Sequence, residues 1–257
     1  MNSIKRCWTA YEKNQLLKYG ISLDNLDQYG DMPVEYITGF VDFCDLQFEV
    51  NNKTLIPRVE SEGLVKLGVD WIDKNVEDNG DLEVLDVGTG CGNIAISLFL
   101  SLEKIGIKAN ITACDISKDC IKQAKLNLER LVNDVNHSRF SFYQSDLLVD
   151  VPKKSYHLIV ANLPYVPTSL LRILDPAVKY YEPNLALDGG DDGLELVRKL
   201  ILEAENYLIK DGVILLEIDS RSIVNEETLG VRQDWSYEVI LDEFEKQRYV
   251  ILKKRQQ

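Results

Sequence analysis

Residues 83–105 read EVLDVGTGCGNIAISLFLSLEKI, and the reading of this stretch decides the fold. EVLDVG (83–88) has the apolar run of a buried strand, and NIAISLFLSLEKI (93–105) is an apolar segment of helical length. Between them lie Gly88-Thr89-Gly90-Cys91-Gly92, with Asp86 two residues before the first glycine. Glycines allow a tight turn there and let a ligand approach backbone N–H groups closely. The spacing is Gly-x-Gly-x-Gly, whereas a dinucleotide fingerprint would be Gly-x-Gly-x-x-Gly.

The same alternation continues downstream. NITACDIS (110–117) reads as a strand, DCIKQAKLNLERLV (119–132) as an amphipathic helix, and RFSFYQSDL (139–147) as a strand. YHLIVANLPYV (156–166) is a strand running into a loop, DGLELVRKLILEAENYLI (192–209) a helix, and GVILLEID (212–219) a strand. Strands alternating with helices predict an α/β fold, a mostly parallel sheet with helices on both faces. SYEVILDEFEKQRYVILKK (236–254) reads as two strands joined by a turn, a terminal hairpin that adds an antiparallel strand at the sheet edge. Upstream, ESEGLVKLGVDWIDKN (60–75) has apolar residues at helical spacing and acids at its start, as a helix N-terminus prefers. Residues 36–57 read as a small β-hairpin or two short strands with Asn51-Asn52 as the loop. Trp8, Tyr11, Leu16 and Leu17 line one face of a short helix ending near Gly20.

Composition narrows the class. The 257 residues suit one large core domain with a smaller appendage, and 45% hydrophobic with 28% charged residues is a globular balance. The net charge of −13 argues against broad binding to duplex DNA and suits a basic protein partner. No apolar run has the length of a membrane span, and the N-terminus carries no apolar signal region. The five cysteines contain no CxxC pair, which reads as reduced cytoplasmic thiols. Two histidines argue against a His-based zinc site or a Ser-His-Asp triad, so no metal is expected. Lys253-Lys254-Arg255 reads as a solvated tail.

Side chains that could carry chemistry fall at strand ends. Asp115 closes the second strand, where a carboxylate can accept both ribose hydroxyls of a nucleoside or cap the helix from Lys118. Asp146 closes the third, placed to accept an adenine amino group or simply to make a turn. Cys91 reads as a small loop residue. After the fourth strand come Asn162-Leu163-Pro164-Tyr165. The Asn162 side-chain oxygen and the Leu163 carbonyl can both accept from one NH₂ group, and Pro164 biases Leu163 toward an extended backbone. Tyr165 offers a flat face for a planar amide or base. A plain Asn-Pro-type loop turn is the alternative.

The glycine spacing with its upstream acid resembles the first motif of S-adenosylmethionine-dependent methyltransferases, and the tetrapeptide resembles the Asn-Pro-Pro-Tyr motif of amino-methyltransferases. Arg58-Val59-Glu60-Ser61-Glu62 after an Ile-Pro resembles the IPRPETE segment of the protein-(glutamine-N5) methyltransferases, the HemK-type enzymes that modify peptide-chain release factors. PVEYITG (33–39), Glu182-Pro183, Leu185 to Gly190 and Asp192-Gly193-Leu194 are similar to the same family. The resemblance covers about residues 33–255.

It implies a Rossmann-like class I methyltransferase with a seven-stranded sheet over residues 59–257, behind a small N-terminal subdomain, 1–58, of helical segment and hairpin. It implies that Gly88, Thr89, Gly90, Cys91, Gly92, Asp115, Asp146 and Leu147 bind S-adenosylmethionine together with Asn162. Leu147 falls where many members carry an aromatic against the adenine. It further implies that Asn162, Leu163, Pro164 and Tyr165 are the catalytic and substrate-binding residues, holding a glutamine amide of a release factor. A monomer is expected. The chain departs from the family at Leu163 and Val59, each standing for a proline, and in an N-terminal helical part about half the usual length. Rival readings are glutamine methylation of a ribosomal protein, methylation of a flipped adenine or guanine amino group, and a non-catalytic S-adenosylmethionine-binding protein.

Overall fold

The computed structural model describes residues 6–76 and 82–255. In chain order, helices α1 (Ala10–Lys18) and α2 (Val34–Thr38) precede a hairpin of β1 (Phe40–Phe43) and β2 (Leu46–Glu49), followed by α3 (Glu62–Asn75). Strands and helices then alternate: β3 (Leu82–Val87), α4 (Asn93–Lys104), β4 (Ala109–Asp115), α5 (Lys118–Leu131) and β5 (Phe140–Gln144). After β6 (Tyr156–Ala161) come α6 (Pro176–Tyr181), α7 (Glu195–Ala204), β7 (Leu208–Glu217), α8 (Glu226–Leu229), β8 (Trp235–Leu241) and β9 (Gln247–Lys254).

The large sheet has seven strands in the order β5-β4-β3-β6-β7-β9-β8. Strands β5 to β7 of that order run parallel, and β9 runs antiparallel to both neighbours. The chain builds outward from β3 to β5, then crosses back to β6 on the other side. That reversal opens a crevice beyond the carboxyl ends of β3 and β6, where ligands of doubly wound sheets bind.

Alternating side chains of the parallel strands feed two apolar cores. Val84, Ile111, Leu158, Val160 and Leu215 meet α3, α4 and the hairpin on one face, whereas Leu85, Ile159, Ile214 and Leu216 meet α7 on the other. Helix α4 is buried almost all round, consistent with its apolar sequence, because α3, α5 and the sheet enclose it. Helix α7 buries only Val197, Leu200, Ile201 and Ala204. The hairpin residues Val41, Phe43 and Phe48 belong to the α3–α4 core, while Trp8, Leu16 and Val34 form a separate small cluster.

The structure corrects several sequence expectations. The hairpin turns at Cys44-Asp45, both in the left-handed region (φ 49° and 59°), and Asn51-Asn52 lies beyond β2. Such a turn favours Gly, Asn or Asp, and the Cys at its first left-handed position, with no Gly beside Asp45, gave only a weak signal. Trp8 precedes α1, and Tyr11 and Leu17 are exposed, so α1 packs through Leu16 instead of the expected four-residue face. Helix α7 ends at Ala204, and Leu208 and Ile209 already belong to β7. The buried Tyr207, donating to the Leu148 and Val151 carbonyls, draws the chain back into the sheet there. The antiparallel strand is not at the edge: β9 inserts between β7 and β8. It is the more deeply buried of the pair, with Val250 and Leu252 fully buried and Tyr249 nearly so. Lys253 and Lys254 are in β9 and are no loose tail; they pair with Asp211 and Glu205, and Arg255 pairs with Glu226.

Gly63 is where α3 meets β9. A Cβ there would lie 2.0 Å from the Tyr249 hydroxyl, which donates to the Glu60 carbonyl at 2.6 Å. Gly63→Ala must displace that ring and break its hydrogen bond. Overpacking costs about 1–3 kcal/mol, only partly offset by a helix-propensity gain of up to ~1 kcal/mol. A melting temperature lowered by about 2–6 °C is expected in calorimetry, and an unchanged value would show that the ring yields freely.

Candidate active site

Parallel register sets the level of the site. Val87 pairs with Cys114 on one side and Ala161 on the other, so Gly88, Asp115 and Asn162 leave the sheet side by side. Gly88 N–H and Thr89 N–H both donate to the Cys114 carbonyl at 2.9 Å. Gly90 N–H donates to Asp115 Oδ2 at 2.9 Å, and Ser117 N–H to Asp115 Oδ1 at 2.8 Å. The glycine turn is therefore tied to the end of β4. Gly88 and Gly90 both have positive φ (76° and 55°), and a Cβ on Gly90 would point into open space.

A cavity of about 270 Å³ lies here. Gly88, Gly90, Asp115, Asp146, Leu147, Asn162, Leu163 and Pro164 line it, with Lys53, Leu55, Pro183, Leu185 and Leu196 contributing walls. Thr89, Cys91, Gly92 and Tyr165 do not line it. The Thr89 hydroxyl donates to Asp86 Oδ2 at 2.6 Å. Cys91 is buried in the α3–α4 core, where its carbonyl accepts from Asn127 Nδ2. Gly92 begins α4 with φ 85°, and a Cβ there would press on Ala124 of α5. These three residues shape the turn from beneath.

Asp115 does not cap the following helix. Ser117 does, its hydroxyl accepting from Cys120 N–H. Burial pushes the Asp115 carboxyl above its ordinary range, while the Ser117 and Gly90 amides pull it back. Asp146 is exposed, and Leu147 beside it is buried with φ 47°. A left-handed leucine stores strain of about 1–3 kcal/mol, a feature that clusters at functional sites.

The tetrapeptide rests on two supports. On one side the segment carrying Leu187 to Gly193 interlocks with it. Val166 N–H donates to the Leu187 carbonyl and Gly189 N–H to the Val166 carbonyl, both at 2.9 Å. A Cβ on Gly189 would lie 2.7 Å from the Pro164 carbonyl, and one on Gly193 would lie 2.3 Å from the Tyr165 carbonyl. The glycines of this segment thus let two backbones touch. On the other side, Asn162 Nδ2 donates to Ser61 Oγ at 2.8 Å. Ser61 Oγ donates to Glu217 Oε2 at 2.7 Å, and the Tyr165 hydroxyl to Glu217 Oε1 at 3.2 Å. The Leu163 side chain packs over Gly88, and no described residue donates to its carbonyl.

Sequence reasoning missed Ser61 and Glu217 as parts of this site. A signal existed for Glu217, the one carboxylate inside the apolar run VILLEI (213–218). It also missed the pairing of Arg58 with Glu182, although both lay in quoted motifs. Glu182 is buried, accepts from Arg58, and takes the Ile56 N–H on its other oxygen at 3.2 Å. Burial alone would lower the Arg58 pKa; the Glu182 carboxylate reverses this and raises it. The pair fastens the cavity-wall segment 53–58 to the wall at Pro183.

Comparison with known proteins locates this architecture. The model of the methyltransferase small domain family matches residues 57–172. A release factor glutamine methyltransferase of Lactococcus lactis subsp. lactis is 39% identical over 186 residues, 72% of this chain and 63% of that protein. One of Deinococcus radiodurans is 33% identical over 222 residues, 85% of this chain and 73% of that protein. The chain thus spans less than two thirds of the Lactococcus relative. The solved N-terminal domain of human METTL16 in complex with SAH has a TM-score of 0.54 at 16% identity, covering 82% of this chain and 76% of that one, a likeness of fold.

Asp86, under the glycine turn, is fully buried, and its Oδ1 has no hydrogen-bond partner among the described residues. Burial raises its pKa from 3.8 to about 7, against the Thr89 hydroxyl and nearby Ala95 amide and with help from the Asp115 charge. Between those pH values the folded chain holds a proton that the unfolded chain releases. The associated stability is fully present below the unfolded pKa and is lost as pH rises through about 7. Asp86→Asn should remove this dependence. Between about pH 4 and 7.5 the parent should lose on the order of 1–4 kcal/mol relative to the variant. Parallel pH courses of the two melting temperatures would contradict the assignment.

Proposed function

This chain belongs to the release factor glutamine methyltransferase family, and from that membership we propose that it transfers a methyl group from S-adenosylmethionine to the side-chain amide nitrogen (N5) of a protein glutamine. We further propose that this protein is a peptide-chain release factor. The observation that carries the reading is the placement of Asn162 and Leu163 on the same cavity as Asp115 and the open glycine turn.

The cavity's residues fit the donor. Asp115 offers two carboxylate oxygens, each with a further lone pair beyond its amide bond, for ribose hydroxyls. Leu147 supplies an apolar surface for the adenine, and Asp146 is an exposed acceptor beside it. The open space at Gly90 admits the ligand against the backbone. S-adenosylmethionine supplies a methyl group made electrophilic by its sulfonium. Thr89, Cys91 and Gly92 act indirectly, by holding the turn's shape.

An amide nitrogen is a poor nucleophile because its lone pair is delocalised into the carbonyl. The Asn162 side-chain oxygen and the Leu163 carbonyl accept the two N–H bonds of the substrate amide and so orient its lone pair. Alignment and fixed dipoles supply most of the acceleration in this reading. After transfer the nitrogen loses its extra proton to water or to these acceptors, and no strong base is required. Tyr165, which lies outside the cavity lining with its hydroxyl held by Glu217, acts by steadying the loop that carries Asn162 and Leu163. Leu163 keeps the carbonyl that the family's proline supplies, and Pro164 keeps it extended.

The partner is a protein in this reading. The net charge of −13 and the engagement of Lys253, Lys254 and Arg255 with acids favour a basic protein surface over duplex DNA. No helix among the described residues is long and apolar enough to cross a membrane. A cytoplasmic monomer is part of the proposal, as is a division of the chain near residue 58.

Three measurements test it. Tritium transfer from labelled donor to purified release factor, ribosomal protein and DNA, side by side, should label the release factor at glutamine. Labelling of DNA alone would overturn the substrate assignment. In single-turnover assays, Asn162→Ala should slow transfer by about 10²-fold or more with little change in donor affinity. Asp115→Ala should weaken donor binding at least about tenfold in calorimetry, since it removes charged acceptors worth on the order of 2–4 kcal/mol. Parent-like behaviour of either variant would remove that residue from the mechanism.

A further inference from the structure

An asparagine amide can sit either way round, and only one way presents an acceptor to an incoming NH₂ group. In this site the choice is made by a chain of hydrogen bonds that begins 55 residues downstream of Asn162, at Glu217. We propose that Glu217 is a positioning residue which, through Ser61, locks the Asn162 amide with its nitrogen turned away from the cavity and its oxygen turned toward the substrate. The inference rests on the reading of Asn162 as the substrate acceptor.

The polarity of the chain follows from what each group can do. An ionised carboxylate only accepts, so it compels both of its neighbours to donate: the Ser61 hydroxyl to Oε2 and the Tyr165 hydroxyl to Oε1. Having given its only proton to Glu217, Ser61 can do nothing but accept from Asn162. The group facing it must then be the Asn162 NH₂, as observed at 2.8 Å. Both supports of the tetrapeptide's polar side chains thus converge on one carboxylate that is 1% exposed.

A protonated Glu217 reverses the logic. It donates one hydrogen bond; if Ser61 accepts it, the Ser61 proton is free to point at Asn162. The amide then turns its oxygen to Ser61 and its NH₂ to the cavity, where it meets the substrate's NH₂ as donor against donor. Glu217 is poised for this, because burial raises its pKa and the nearby Glu60 raises it further. Ser61, Tyr165 and the Arg248 guanidinium act the other way. Tyr249 also feels the charge, and Arg58 faces Tyr165. Arg248 is itself engaged by Asp242 at 3.2 Å, so it does not neutralise Glu217 outright.

The device predicts a pH limb. As pH falls through the raised pKa of Glu217, the fraction of correctly oriented Asn162 falls and kcat at saturating donor falls with it, whereas any effect of the Asp115 and Asp86 carboxyls on donor affinity is the same in parent and Glu217→Gln. Glu217→Gln is nearly isosteric and mimics the neutral state. It should lower kcat for glutamine methylation by about 10- to 100-fold at neutral pH, as for other lost preorganised contacts, and should abolish the limb. Ser61→Ala should lower kcat similarly, and Ser61→Thr, which keeps the hydroxyl, should restore both rate and limb. A merely structural role would move melting temperature and donor affinity but not the limb.

A second readout needs no turnover. The Asn162 side-chain ¹⁵NH₂ resonances, assigned by their loss in Asn162→Ala, should titrate with the same pKa as the limb in the parent and stay constant in Glu217→Gln. If the parent methylates no glutamine yet these resonances titrate as described, the amide lock stands and the functional reading fails. If glutamine is methylated but Glu217→Gln and Ser61→Ala keep the parent's rate and pH limb, or the resonances do not respond to pH, the lock is wrong.

Discussion

The parallel register that pairs Val87 with both Cys114 and Ala161 is the constraint on which the rest depends. It brings three strand ends to one level, so that residues distant in sequence step into the same crevice. The Cys114 carbonyl then takes two amides of the glycine turn, and Asp115 takes a third. A ligand site needs its groups held within about half an ångström, and groups borne on strand ends meet that demand better than groups borne on free loops. Everything later in the chain, from the tetrapeptide to its supports, is built against this fixed edge.

Polar groups beneath the edge do a different task from those that line it. Asp86, Ser61, Glu182 and Glu217 are all buried, yet none of them is among the residues lining the cavity. Three of them tie distant segments: Glu182 joins residue 56 and residue 58 to the loop at 182, Glu217 joins Ser61 to Tyr165, and Ser61 reaches on to Asn162, whereas Asp86 holds Thr89 of its own turn. Burying a carboxylate is unfavourable unless it is paired or hydrogen-bonded. Glu182 meets that condition with a guanidinium and an amide, and Glu217 with two hydroxyls. Asp86 meets it only in part, and responds by holding its proton to about pH 7.

The glycines divide in the same way. Gly90 leaves open space at the cavity, whereas Gly88 and Gly92 allow close packing of Leu163 and Ala124, and Gly189 and Gly193 let backbones touch at distances that a side chain would forbid. The segment carrying Leu187 to Gly193 is therefore a scaffold for Pro164 and Tyr165. Leu163 fits this scheme: it lacks the ring of a proline but packs over Gly88, so it is held by contacts instead of by its own covalent geometry.

Local patterning determined the alternation of strands and helices, the glycine turn, Asp115 and the tetrapeptide. Each depends on residues close in sequence: apolar periodicity, turn glycines, and an acid or amide at the end of an apolar run. Local signals also misled where neighbours in space overrode them. The Cys44-Asp45 turn has no glycine, Ala204 ends its helix because Tyr207 finds partners at Leu148 and Val151, and β9 takes an interior place, where Val250 and Leu252 are fully buried. The direction of a side chain within a turn was not legible either, so Cys91 and Gly92 were grouped with residues that face the cavity. What only the tertiary structure decided is the contact of Ser61 with Glu217, 156 residues apart, and of Arg58 with Glu182, 124 apart. No local rule links such pairs, because what joins them is the need of a buried carboxylate for donors, and the donors are chosen by whichever segments the sheet brings alongside.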